Sequence, residues 1–156
     1  MVLTYNQIID EFKSFASKHL QVNSFGNGDL WEVVEHNQLA DFNYNLLWVQ
    51  DGAVTLNNKF LSWNFNVLCM GIVQKDEKDE NDVKSDTSQV LFDMLAYFEQ
   101  KTDIVSSGTN WMQVNLVKTG SMTSFTERFE DEVTGWVLNV GFEIPFPYDN
   151  CDLPIN

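Results

Sequence analysis

Positive charge is scarce in this chain. Its 156 residues hold 9 Lys and Arg against 23 Asp and Glu, a formal net charge of −14. A surface that negative repels phosphate backbones, so tight binding to duplex DNA or RNA is excluded as a primary role, and anionic membranes are disfavoured. Only two cysteines are present, Cys69 and Cys151, too few for a disulfide framework. Cys69 falls inside an apolar strand-like run, where a buried free thiol is expected. The two histidines, His19 and His36, have no partners at zinc-ligand or triad spacing. No glycine occurs between Gly71 and Gly108. The acidic stretch from Asp76 therefore lacks the sharp sixth-position turn of an EF-hand loop; its sixth residue is Asn81. Long apolar runs are missing too, and the longest, near 67–73, is far too short to span a bilayer. The opening MVLTYNQIIDEF has no basic region and does not read as a signal peptide. An intracellular, reducing setting fits these features.

What the chain has in quantity is aromatic bulk: 12 Phe, 5 Trp and 4 Tyr, within a hydrophobic content of 44%. That is enough for one core at this length. Thr4 and Gln7 form a capping-box pattern. Ile8, Ile9, Phe12, Phe15, Ala16 and His19 follow on one helical face, with His19 placed to interact with the terminal carbonyls. SFGNGD (24–29) reads as the turn that ends this helix. Period-two patterns come next: a short strand in LWEVVEH (30–36), another in DFNYNLLWV (41–49), and a hairpin turn over 50–59 marked by Asp51-Gly52 and Asn57-Asn58. FLSWNFNVLCMGIV (60–73) reads as a long strand whose second half is covered on both sides. Asp86 and Gln89 suggest a second capping box, so a helix is expected from there to about Lys101. Strands are predicted at 111–118 and 124–131. The clearest of all is GWVLNVGFEIPF (135–146), where Trp136, Leu138, Val140, Phe142, Ile144 and Phe146 alternate with smaller or polar residues. The fold class predicted is α+β, with two helices on one face of a mainly antiparallel sheet. A single domain is placed at 1–146 and an extended tail at 147–156.

No constellation in this pattern carries chemistry. FGNGD lacks both the lysine of a P-loop and the spacing of a dinucleotide fingerprint. Trp63, Phe65, Trp136 and Phe142 read as core rather than as a stacking platform, which would also need a basic groove. Glu130 and Glu132 sit beside a turn and imply no glycosidase pair. Acidic residues before a helix are favoured by its positive N-terminal end, which accounts for 76–86 without a metal. No catalytic residue, metal or cofactor is expected.

With the elements placed, the chain resembles the phage tail-terminator and neck-ring proteins of the minor-tail-protein-U-like type. Four segments carry the likeness: FKSFASKHLQVNSFGNGDLWEV, a helix entering a turn and a strand; LLWVQDG, leading into a long strand; DEKDENDVKSDTSQVLFDML, an acidic connection feeding a helix; and EDEVTGWVLNVGFEIPF, a turn into the last strand. That last strand and its tail are similar to structural proteins of tailed phages that infect Bacteroidetes hosts. The resemblance implies a virion protein, assembled in the host cytoplasm, whose copies form a closed ring, usually a hexamer, at the neck or tail terminus. Such a ring joins the tail tube to the head connector and passes DNA through its lumen without specific binding. It implies no enzyme activity, no cofactor and no membrane.

Two features of the residues agree with that role. Excess negative charge suits a channel through which DNA slides, and the edges of the strands at 60–73 and 135–146 are expected to be available to neighbours. Candidate contact residues lie in the connections: Asp76, Glu77, Asp79, Glu80 and Asp82 in the acidic stretch, Asp51, Asn57 and Asn58 in the hairpin, and Tyr148 and Asp152 in the tail. The alternative reading is an acidic immunity or anti-restriction protein that neutralises a basic enzyme by charge complementarity. A hydrolase or ligand-binding domain ranks below both.

Overall fold

In a computed structural model, residues 3–30, 43–74, 78–103, 111, 114–118, 120–128, 132–145 and 154–155 are described. The first helix, α1 (Tyr5–Lys18), begins as its capping pattern dictates. Thr4 is extended, its hydroxyl accepts the Gln7 N–H, and the Gln7 side chain accepts the Thr4 N–H in return, at 3.3 and 2.9 Å. Two donors that a helix start leaves unpaired are thereby satisfied. Ile8, Phe12, Phe15 and Ala16 are buried along one face. His19 closes the helix, donating its backbone N–H to the Phe15 carbonyl.

The chain then makes β1 (Ser24–Asn27), β2 (Leu46–Leu56), β3 (Phe60–Ile72), helix α2 (Glu80–Asp103), β4 (Asn115–Val117), β5 (Met122–Arg128) and β6 (Glu132–Pro145). One six-stranded sheet results, in the order β1-β2-β3-β6-β4, with β5 also on β6. Every pairing is antiparallel except that of β1 with β2. The spine of the sheet is β3 against β6, continuous from Phe60↔Pro145 to Ile72↔Val133. On the far side of β6, β5 covers Glu132–Leu138 and β4 covers Gly141–Glu143, end to end.

Alternation decides the two faces. Leu47, Val49, Leu61, Phe65, Val67, Cys69, Leu138, Val140, Phe142 and Ile144 point to the side that carries both helices. There they meet Ile8, Phe12 and Phe15 of α1 and Val90, Leu91, Met94 and Phe98 of α2. Rings concentrate at the centre: Phe142 lies 5.1 Å from Phe98, 5.6 Å from Trp111, 5.7 Å from Phe12 and 6.0 Å from Phe65. The opposite face carries a smaller cluster, Leu46, Trp48, Leu68, Met70 and Val133, at one end only. The protein is thus an α+β domain of the predicted class, two helices on one face of a mostly antiparallel sheet. Among the described residues no helix is long and apolar enough to cross a membrane.

Several local expectations are corrected. Residues 24–27 are a strand, not a turn, and pair parallel with Leu46–Val49. Gly26 is needed there because a β-carbon would strike the Trp48 ring lying over it; Trp48 in turn donates its indole N–H to the Gly28 carbonyl at 3.0 Å. Among the described glycines, Gly28 alone has positive φ, +114°. Asp51-Gly52 is no hairpin turn: β2 runs through it to Leu56, absorbing one extra residue as a register shift between Asp51 and Val54. Such bulges are where an interior glycine in a strand is found. The turn is confined to 57–59, with the Asn57 carboxamide oxygen accepting the N–H groups of Lys59 and Phe60.

Helix α2 starts at Glu80, well before Asp86. Thr87, fully buried, donates its hydroxyl to the Val83 carbonyl and so extends the buried stripe back by a turn. Strand β4 is described over Asn115–Val117, and before it the Val114 N–H donates to the Trp111 carbonyl rather than to a ladder partner. β5 begins at Met122, two residues early. The strands expected to offer edges at 60–73 and 135–146 are instead interior: β3 lies between β2 and β6, and β6 has β3 on one side with β5 and β4 on the other along Glu132–Leu138 and Gly141–Glu143. Of the strand predicted at 30–36, residues 31–36 lie outside the described residues, as do residues 41–42 and the tail apart from Pro154 and Ile155.

Candidate functional site

The titratable groups form structural ties. His19 and Asp93 are 2.9 Å apart, Nε2 to Oδ2, and His19 Nδ1 accepts the N–H of Gln21 at 3.2 Å. Because Nδ1 is an acceptor, the proton sits on Nε2 and is donated to Asp93. Neither ring nitrogen is left to act as a base. The hydrogen bond from His19 holds the Asp93 carboxyl below the usual carboxylate range, with burial opposing and Gln89 adding a second donor. The pair therefore pins the end of α1 to the middle of α2, a different role from the helix-end charge expected for His19. Beside it, Lys101 pairs with Glu11 at 3.0 Å and the Tyr97 hydroxyl donates to the same carboxylate. Burial raises the Cys69 thiol to about 12, which keeps it protonated and unreactive.

The acidic stretch also closes on the fold. Asp79 accepts the Gln74 N–H on its carboxylate and the Val83 N–H on its carbonyl, so it opens α2. Glu80 pairs with Lys84 at 3.4 Å and accepts the Thr126 hydroxyl of β5. Asp82 is exposed. Asp76 and Glu77 lie outside the described residues, as do Tyr148 and Asp152. No three acidic, histidine or cysteine side chains converge as metal ligands among the described residues. A wide hollow of about 640 Å³ beside Asn23, Asn43, Tyr44, Asn45 and Ile72 is likewise committed: the Asn23 amide donates to the Tyr44 carbonyl and the Asn45 amide to that of Gln21.

What remains is the far half of the sheet on the helix-free side, with the hairpin arm beyond it. Register aligns Gln50, Asn66 and Asn139 in one row across β2, β3 and β6. The next row places Asn64 opposite Gly141. An open groove of about 360 Å³ runs here between Gly52, Ala53, Asn64, Asn66, Asn139 and Gly141. It exists because three of its walls are glycines: a β-carbon on Gly52, Gly120 or Gly141 would come within 2.8 Å of Asn64 or Asn139. Asn64 braces the bulge, donating to the Ala53 carbonyl at 2.7 Å and the Thr55 hydroxyl at 3.0 Å, while Ser62 donates to its oxygen. These groups are neutral donors and acceptors. They suit contact with another polar chain and provide no nucleophile, base or charge.

The arm continues from this groove. Beyond Val49, β2 has β3 on one side and no partner on the other among the described residues. Val54 is 45% exposed, Leu56 65% and Phe60 38%, although each belongs to a strand. Exposed apolar residues on an unpaired edge are a liability unless something covers them.

Of the predicted contacts here, Asp51 is exposed and accepts the Tyr5 hydroxyl at 2.8 Å. Burial and then this acceptor raise the Tyr5 hydroxyl above its ordinary value. Asn57 builds the turn, and Asn58 stands exposed at its tip. The groove residues Asn64, Asn66 and Asn139 were not singled out from sequence, although Asn64 and Asn66 alternate with apolar residues in the strand pattern. Their signal is the amide at every second position of β3 meeting another in β6, which needs the register. With this geometry in place, no protein-family model matches the chain and no curated protein matches it.

Proposed function

We propose that this chain is a structural virion protein that assembles as a homo-oligomeric ring at a phage neck or tail terminus, joining the tail to the head connector. The observation that carries the reading is the β2–β3 arm, whose exposed Val54, Leu56 and Phe60, and whose edge without a partner among the described residues, ask for a protein neighbour. A ring needs one patch to meet a different patch on the next copy, and the neutral groove beside the arm extends the available surface. The net charge of −14 suits a lumen that DNA crosses without sticking. The committed state of His19, Asp93 and Cys69 supports a role without catalysis. Adjacent neck, connector or tail-tube proteins are the further partners, and six is the copy number the resemblance implies.

Light scattering after size exclusion, followed by electron microscopy of the purified chain, tests this. Rings of one size are expected. A strict monomer at every concentration, forming a tight and salt-sensitive complex with a basic enzyme, would instead support the immunity or anti-restriction reading.

A further inference from the structure

We infer that copies of this chain join by strand addition: the outer edge of β2 from Gln50 to Leu56 receives β5 (Met122–Arg128) of the next copy, antiparallel. The inference rests on the ring reading above and specifies the contact that closes it.

The first support is an unfilled position in the sheet. β1 occupies the outer side of β2 along Leu46–Val49 and stops, with the Gly28 N–H donating to the Val49 carbonyl as the last bond. Beyond it the position alongside Gln50–Leu56 has no strand among the described residues. The Asn57 N–H bonds back to the Phe60 carbonyl, so strict alternation turns the backbone groups of Leu56 and Val54 outward. β5, on the opposite side of the sheet, has β6 along one edge and, among the described residues, no strand along its other.

Charge supplies the second support. Although the chain carries 23 acids, residues 52–75 and 104–126 contain none, and they hold Lys59, Lys75 and Lys118. The first stretch includes the arm past Asp51, and the second includes β4 and β5 up to Thr126. Copies that repel one another over most of their surface can approach where like charge is missing. Within these stretches, Gly52–Leu56 of β2 and Met122–Thr126 of β5 lie on opposite sides of the β3–β6 spine, as a head-to-tail contact requires.

Topology fixes the direction. β2 is antiparallel to β3, β3 to β6, and β6 to β5. A rotation about an axis running along the strands preserves chain direction, so an incoming β5 lies antiparallel to β2. The two edges also sit at different heights. Gln50–Leu56 occupies the rows that lead across β3 to Asn139–Ile144, whereas β5 faces Glu132–Leu138. Joining them staggers each copy against the last, and a stagger of that kind is what lets a sheet close on itself with tilted strands.

The test uses the full chain with Cys151→Ser, leaving the buried Cys69 in place. Single cysteines are introduced on each edge in pairs, Val54→Cys or Thr55→Cys with Thr123→Cys or Ser124→Cys. Mild oxidation is followed by a non-reducing gel. At least one pair is expected to give a ladder ending at the ring number and collapsing to monomer on reduction. Separately, Val54→Lys with Leu56→Lys changes only side chains that are already exposed. It should leave the melting temperature of the dissociated chain unchanged while raising the concentration needed for assembly by about tenfold or more. If light scattering shows rings, yet no pair cross-links and the lysine variant assembles normally, strand addition is wrong and the ring reading stands. If the parent chain never assembles, both fall.

Discussion

Phe142→Ala tests how the two helices are held to the sheet. Phe142 is fully buried toward the end of β6, and its ring meets Phe12 of α1, Phe98 of α2, Phe65 of β3 and Trp111, all between 5.1 and 6.0 Å. Removing it takes one ring from four partners and leaves a void that close-packed neighbours fill only in part. Large-to-small changes of this kind cost about 3–5 kcal/mol, a sizeable share of the roughly 5–15 kcal/mol that holds a domain together. At about 2–4 °C per kcal/mol for a chain of this length, a loss of about 4 kcal/mol lowers the melting temperature by about 8–16 °C. Phe142→Leu keeps most of the buried apolar volume and forfeits the ring geometry, so about 1–2 kcal/mol is expected. Leu20→Ala, at a side chain 96% exposed, serves as the control and should stay within about 0.5 kcal/mol. The assay is thermal and urea unfolding at one fixed protein concentration, because assembly would otherwise shift the midpoint. A drop below about 3 °C for Phe142→Ala, with cooperativity unchanged, would refute the view that this ring cluster is the junction between helices and sheet.

Three further outcomes are expected. Asp93 is held below its ordinary value, so its tie to His19 contributes stability that is present above about pH 4 and is lost as pH falls through the lowered value; Asp93→Asn should flatten that acid limb, and an unchanged stability–pH curve would contradict the tie. Cys69, protonated and buried, should resist thiol reagents in native Cys151→Ser protein and react only in denaturant; native reaction at the rate of a free thiol would show the core to be open. Trp63 has a buried indole N–H with no partner among the described residues, whereas Trp136 donates its own to the Lys84 carbonyl at 2.9 Å. Trp136→Phe should therefore destabilise by about 1 kcal/mol more than Trp63→Phe, and urea midpoints in the reverse order would overturn that comparison.

The long strands and α1 were legible because their signals are local. Thr4 and Gln7 sit three apart, and the alternation from Leu61 to Cys69 and from Trp136 to Ile144 survives in the buried set. The start of α2 was missed because Thr87 looks polar, yet Val83, Thr87, Val90, Leu91, Met94 and Phe98 hold helical spacing once its hydroxyl is satisfied by its own helix. β1 reads locally as a turn because its reason to be a strand is remote: Gly26 is shaped by the Trp48 ring, which no local window contains. Asp51-Gly52 looks the same as a hairpin signal or as a bulge, and only the pairing with Phe65 and Trp63 decides between them. The candidate surface stayed hidden for a related reason. The row Gln50, Asn66 and Asn139 is assembled from three strands, and a one-residue slip in either register would scatter it.

The β3–β6 ladder has a kinetic consequence. Its 13 paired residues per strand lie at the centre of the sheet, so its amides should be the last to exchange with deuterium, opening only when the whole domain does. Among the described residues the arm beyond Val49 has support on one side alone, and it can fray through small local fluctuations that leave the ladder shut. The part of the molecule offered to a neighbour can thus adjust its fit on a fast timescale while the body keeps its shape. Binding would then appear in exchange data as slowing confined to the arm.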